Sequence, residues 1–258
     1  MTYLTKILEA HRAAAETDTR PLEQLVEQAR SAPPPRGFAA ALATTDGVAV
    51  ISEVKRRSPS KGDLFTDLDP AVLAAQYQAG GASCLSVLTD REFFGGSPED
   101  LRAARDACSL PVIRKDFTVS ARNVADARLM GADAVLLIVA ALDDVELADF
   151  AALASELSLD ALVETHDEAE VERALAVGAT LIGVNQRDLV TFQVDTARAV
   201  RVAGVIPDDA VAVAESGISG PEDVPALREA GFDAVLVGES LVRSGSPTEA
   251  VAALRAGG

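Results

Sequence analysis

Residues 48–54 read VAVISEV, and the chain continues KRRSPSKG to residue 62. A short, nearly continuous apolar run gives way to ionisable residues at its C-terminal end. A strand covered on both faces reads this way, because an unpaired charge inside it costs several kcal/mol or more. Glu53 and Lys55 are two residues apart, so on an extended chain they face the same side. The same kind of run recurs at SCLSVL (83–88), PVIRK (111–115), AVLLIV (134–139), DALVE (160–164), LIGVN (181–185), AVAVAE (210–215) and AVLVG (234–238). Lys115, Glu164, and Asn185 with Arg187 again stand at C-terminal ends. Polar groups gathered at one end of several parallel strands make one shared site, which is the layout of a barrel whose active site lies at the C-terminal rim.

Helical patterns fill the intervals: DPAVLAAQYQAG, SPEDLRAARDAC, VADARLMG, DVELADFAALASEL, DEAEVERALAVG and GPEDVPALREAG. Ser, Asp or Gly opens several of them, as N-caps do, and Gly closes several, as left-handed C-caps do. An open doubly wound sheet would carry a glycine-rich loop after its first strand; SEVKRRSPSKGDL is not one. The expected fold is therefore a (β/α)8 TIM barrel, and 258 residues suit a single such domain spanning 1–258. Residues 1–45 stand apart. LTKILEAHRAAA and PLEQLVEQA are helical in period, SAPPPRGF interrupts them, and FAAAL makes a third short helix. They form an N-terminal helical extension packed on the barrel.

The net charge of −17 excludes nucleic acid as a natural partner. Within that acidic body Lys55, Arg56, Arg57, Lys61, Arg114, Lys115 and Arg187 cluster near the strand ends, a basic mouth suited to a small anionic substrate. No apolar run is long enough to span a membrane, and MTYLTKILEAHRAAAE lacks a signal-peptide layout. Cys84 and Cys108 form no metal pattern, and His11 and His166 are far apart. The expectation is a cytoplasmic monomer with no metal and no cofactor.

Two further features carry chemistry. A Lys–Glu pair in the mouth either drifts toward neutrality or stays charged by pairing, and both cases supply proton donors and acceptors. AESGIS (214–219) and VGES (237–240) follow the last two strands, where barrels often hold phosphate. Gly217 and Gly238 would let the backbone approach an anion. Glu239 would repel it, so its carboxylate should turn aside while its N–H faces the phosphate. Phe93 and Phe94 in FFGGSPEDL (93–101) either line a ring pocket or cap the core.

Together these motifs resemble the indole-3-glycerol phosphate synthase family. LTKILEAHR, SEVKRRSPSKG, LSVLTDREFFGGS, PVIRKDF, LVETH, GVNQRDL, AESGI and LVGESLVR carry the resemblance along nearly the whole chain. It implies a phosphorylated substrate, 1-(2-carboxyphenylamino)-1-deoxyribulose 5-phosphate, closed to an indole with loss of carbon dioxide and water. By resemblance Lys115 is the acid on the sugar carbonyl, and Glu164 is the acid/base group of the dehydration. Lys55 is then a cation near the carboxylate and a second acid, and Glu53 and Asn185 are orienting groups. Arg187 and Ser216 become substrate contacts, and Ser58, Gly217, Gly238, Glu239 and Ser240 anion or phosphate contacts. Pro59, Leu88, Phe94, Phe117, Leu136 and Leu189 would enclose the aromatic ring. The dehydration asks for a carboxylate and an ammonium on opposite sides of the mouth.

Two readings compete. A sister sugar-phosphate barrel such as phosphoribosylanthranilate isomerase needs a Cys/Asp pair at the rim, but Cys84 opens its strand rather than ending it. A non-catalytic barrel would have a neutral residue at 115 or 164, where this chain has Lys115 and Glu164.

Overall fold

The computed structural model describes residues 2–58, 62–188 and 190–258. The strands are β1 (Ala49–Val54), β2 (Cys84–Leu88), β3 (Val112–Lys115), β4 (Ala134–Ile138), β5 (Asp160–Thr165), β6 (Leu181–Asn185), β7 (Val211–Glu215) and β8 (Ala234–Val237). Every neighbouring pair is parallel, and β8 returns to β1, so among the described residues they close a barrel. Each lies within a residue or so of its apolar run.

Alternation along the strands sorts the core into two shells. Ala49, Ile51, Cys84, Ile113, Leu136, Leu162, Val213 and Leu236 pack together inside the barrel. Val50, Leu85, Val112, Val135, Leu137, Val163, Ile182 and Val235 pack outward under the helices. These are α4 (Pro70–Ala79), α5 (Pro98–Asp106), α6 (Ala121–Met130), α7 (Asp144–Glu156), α8 (Glu168–Ala176), α9 (Arg198–Val202), α10 (Val224–Glu229), α11 (Glu239–Arg243) and α12 (Pro247–Gly257). Asp69, Ser97, Ser120, Asp143 and Asp167 cap their helices through side-chain oxygens, as the N-cap reading expects. The helices α9 and α11 have five residues each, too few to leave a periodic signal in sequence. Arg57–Ser58 and Gly62–Asp63 pair antiparallel in a small ribbon where the sequence showed only a loop.

Three helices precede the barrel: α1 (Tyr3–Thr17), α2 (Leu22–Arg30) and α3 (Phe38–Ala43). They travel from one end of it to the other. The α3 helix stoppers the N-terminal end, with Phe38 and Leu42 fully buried against the inner shell. Asp160, at the start of β5, accepts the Ala39 N–H at 2.8 Å, and the Cys84 thiol donates to the Phe38 carbonyl at 3.6 Å. Phe38→Ala is expected to cost about 3–5 kcal/mol, the usual penalty for emptying an aromatic site in a core. The shift of the urea unfolding midpoint checks it.

The α2 helix packs on α6 along the side. The α1 helix runs across the C-terminal end. His11 Nε2 meets Asp90 Oδ2 at 3.0 Å after β2, and Arg12 makes a two-pronged bond to Glu146, at 2.7 and 2.9 Å, beyond β4. The Tyr3 ring touches Phe93 at 5.9 Å and Phe192 at 5.4 Å. Those loops leave β2 and β6, on opposite sides of the barrel, so α1 helps to roof the mouth.

Candidate active site

A cavity of about 710 Å³ opens at the C-terminal ends of the strands. Its walls include Glu53, Lys55, Ser58, Leu88, Phe94, Lys115, Phe117, Leu136, Glu164, Asn185, Arg187, Ser216, Gly217, Gly238, Glu239 and Ser240. All of these were expected from sequence. Pro59 and Leu189 lie outside the described residues, as does Lys61 of the basic cluster.

At its centre Lys115 Nζ donates to Glu215 Oε2 at 2.5 Å and to Glu164 Oε2 at 3.1 Å. Asn185 Nδ2 donates to Glu164 Oε1 at 3.2 Å, while the Asn185 amide oxygen accepts the Arg187 N–H at 3.0 Å. That pair of bonds fixes which way the amide faces. Glu53 pairs with Lys55 and accepts weakly from Ser86 Oγ at 3.5 Å. Of the two options open to this Lys–Glu pair, the structure takes pairing.

One ammonium between two buried carboxylates cannot keep both ionised. Burial alone would loosen the Lys115 proton; the charges of Glu215, Glu164 and Glu53 outweigh burial and hold it above the ordinary lysine range. Burial would also protonate Glu164, but Lys115, His166 and the Asn185 hydrogen bond keep it below the ordinary carboxylate range. Glu215 bears the conflict. Burial, aided by Glu164, raises it to about 7 against the pull of Lys115. Its Oε1 is buried with no hydrogen-bond partner among the described residues.

A carboxyl raised from 4.5 to about 7 binds its proton more tightly in the folded chain. Its contribution to stability is complete below the unfolded value and is lost as pH rises through about 7. Glu215→Gln removes that titration. Melting temperatures measured between about pH 6 and about pH 8 are expected to fall less steeply in the variant than in the wild type.

Glu215 was not among the residues singled out from sequence, although it ends its strand as Lys115 and Glu164 end theirs. Gly183 on β6 makes room for it, since a Cβ there would collide with Glu215 Oε1. Gly238 plays the same part for Glu53, whose Oε1 lies 2.6 Å from where a Cβ would stand. That glycine is needed for the carboxylate beside it, and not only for an approaching anion.

The basic mouth is narrower than expected. Arg114 faces away from Lys115, its neighbour on β3, and is buried against Asp116 at 2.8 Å. Arg56 pairs with Asp100, and Arg57 donates to the Arg91 and Glu92 carbonyls. Among the described residues the cations on the wall are Lys55, Lys115, Arg187 and Arg243. Arg243, which the sequence reading did not single out, pairs with Glu239 at 3.3 Å along α11. The Glu239 carboxylate thus has a cation beside it one turn along its own helix.

Glu164 and Lys115 share a hydrogen bond, while Lys55 follows β1, across the barrel from β5 and Glu164. Phe94 and Phe117 lie 6.4 Å apart and, with Leu88 and Leu136, form an apolar wall. Phe93 instead turns to Tyr3. Ser216 and Gly217 hold consecutive left-handed conformations, φ 66° and 75°, and Gln186 Nε2 donates to the Ser216 carbonyl at 2.8 Å. A side chain at Gly217 would press on Val194. Cys84 is buried at the stoppered end, where burial pushes its thiol up, so it can act on nothing at the mouth.

A sequence model of one protein family, described as indole-3-glycerol phosphate synthase, matches residues 4–254. The chain belongs to the indole-3-glycerol phosphate synthase family. It is 51% identical to the indole-3-glycerol phosphate synthase of Micrococcus luteus, over 99% of this chain and 98% of that one. It is 58% identical to that of a Nocardioides strain, over 80% and 79%. Among solved structures, a thiamine phosphate pyrophosphorylase from Pyrococcus furiosus superposes with a TM-score of 0.61 at 16% identity, covering 81% of this chain and 94% of that chain. That likeness is one of fold. As a family member the chain is a carboxy-lyase of tryptophan biosynthesis, making indole-3-glycerol phosphate from 1-(2-carboxyphenylamino)-1-deoxyribulose 5-phosphate.

Proposed function

We propose that Lys115, Glu164 and Glu215 form the proton-handling centre of this reaction, with the aryl ring against Phe94 and Phe117. The observation that carries this reading is the pair of hydrogen bonds from Lys115 to the two carboxylates. The aryl carbon bearing the carboxylate attacks the sugar ketone, and Lys115 Nζ gives its proton to the developing alkoxide, which is far more basic than an amine. The carbon–carboxylate bond then breaks. Its electrons return to the ring and quench the iminium on the substrate's own nitrogen, so the chemistry supplies its own electron sink. In the last step the hydroxyl leaves as water with a proton from an acid, and a base takes the proton from the adjacent carbon. Glu164 serves in this acid/base exchange, with Lys55 as the second acid near the substrate carboxylate and Glu53 and Asn185 orienting their partners.

Leu88 and Leu136 complete the ring slot, to which we also assign Pro59 and Leu189. Arg187 and Ser216 contact the substrate. The phosphate sits by Ser58, Gly217, Gly238, Ser240 and the Glu239 N–H, where Arg243 adds positive charge. Turnover of the purified protein, followed by indole fluorescence in the presence of a chelator, tests the reading. The chain has no tryptophan to mask that signal. Product without added metal or nucleotide is the expected result, and none at all would overturn it.

The chain is further assigned as a single domain, with residues 1–45 packed on the barrel, working as a cytoplasmic monomer. Its acidic character, net charge −17, and its exposed large apolar residues, mostly valines, support this. No helix of the described residues is long and apolar enough to cross a membrane. Sedimentation equilibrium giving the mass of one chain is the expected result.

A further inference from the structure

The reaction consumes a proton that the substrate does not bring. The ketone oxygen takes one on ring closure, the departing hydroxyl takes a second, and only one returns from carbon, while the carboxylate leaves as neutral carbon dioxide. Each turnover therefore draws one proton from solvent into a centre whose carboxylates are buried.

His166, directly after β5, stands where such a proton could pass. Glu170 Oε2 accepts from the His166 backbone N–H at 2.8 Å and meets the ring Nδ1 at 3.0 Å. This fixes the ring and aims the other nitrogen. His166 Nε2 is buried, makes no hydrogen bond among the described residues, and lies 3.8 Å from Glu164 Oε1. The two Glu164 oxygens thus face different ways: Oε2 meets Lys115, while Oε1 is shared by Asn185 and His166.

Behind His166 is a second cavity of about 380 Å³, lined by His166, Glu170, Asp188 and Arg198 among others. Among the described residues it shares no wall residue with the main cavity. Glu164 lines the first and His166 the second.

We propose that His166 is a positioning and relay residue that returns the consumed proton to Glu164 from the second cavity. This rests on the acid/base assignment of Glu164 made above. The imidazole releases its Nε2 proton to Glu164 Oε1, Glu164 passes one from Oε2 to the Lys115 amine that protonated the alkoxide and is a carboxylate again, and the ring regains a proton from the second cavity. Catalytic hydrogen bonds are often this long before substrate binds and tighten in the complex. The groups facing the ring are Glu164 from β5, Glu170 from α8 and Arg198 from α9. Burial and Arg198 oppose protonation of the ring, and the two carboxylates outweigh them, so the imidazole holds its proton more firmly than a free histidine. Arg198 is itself occupied with the Asn185 carbonyl at 3.1 Å.

The test compares the wild type with His166→Gln, His166→Ala and Glu164→Gln. Both His166 variants are expected to lose about a hundredfold in kcat with KM unchanged, to shift the pH profile of kcat, and to show a larger solvent deuterium effect. Added imidazole should restore turnover in His166→Ala, and unchanged affinity for indole-3-glycerol phosphate would show that the site is still built. Full kcat with an unchanged pH profile in His166→Ala overturns the relay. So does a loss that comes with a raised KM and no response to imidazole, the mark of a structural role. Activity retained by Glu164→Gln overturns the parent assignment instead, so the two failures are distinct.

Discussion

Lys115→Met is expected to lower kcat by about three orders of magnitude or more, within the range set by losing a positioned acid together with its charge. The ammonium hydrogen-bonds to Glu164 and Glu215 and is the largest of the influences that keep Glu164 ionised in a buried site, ahead of His166 and Asn185. The thioether of methionine fills similar space but offers neither a proton nor a charge. Ring closure then has nothing to meet the developing alkoxide, and Glu164 joins Glu215 in holding a proton. Single-turnover measurement of carbon dioxide release separates this from slow product release. Both carbon dioxide and indole should be lost together, because the blocked step comes first. Full turnover in this variant would sink the proposed mechanism.

Glu164→Gln should give a different pattern from a loss of similar size, about two to four orders of magnitude in indole formation. Lys115 and Glu215 remain in place, so ring closure and decarboxylation can proceed. Dehydration, which needs a base, cannot. The expected signature is carbon dioxide released ahead of indole fluorescence, with a decarboxylated, still hydroxylated bicyclic compound accumulating. Mass spectrometry of quenched reactions identifies it by the retained water. Carbon dioxide and indole appearing in step, at the reduced rate, would place Glu164 in the first step instead.

The positions of the strands, and most of the wall of the site, were legible in the chain because burial on both faces leaves an apolar run that only the rim interrupts. Glu53 and Lys55, two residues apart, could be placed together, and they pair. The same parity rule was not applied to Arg114 beside Lys115, so the basic mouth was drawn too broadly. Glu215 obeyed the rim rule, but the stretch around it was read for phosphate, and the carboxyl went unweighed. Its need for Gly183 is a contact between neighbouring strands, and spacing along a single sequence does not carry such contacts. The pairing of Lys115 with both carboxylates is likewise set by barrel closure. The two short helices α9 and α11 left too few residues to show a period. Glu164 and His166 are two apart in LVETH, a spacing the sequence reading did not use, and only the fold adds a second cavity lined by the ring.

The helix α3 makes this barrel a cup. With Phe38 and Leu42 seated in its floor, the aryl end of a substrate that enters through the roofed mouth goes in and comes out by the same doorway. Among the described residues, the packed inner shell above that floor leaves the cavity at the rim no second exit. Whatever the reaction releases, small or large, must leave on the side from which the substrate came.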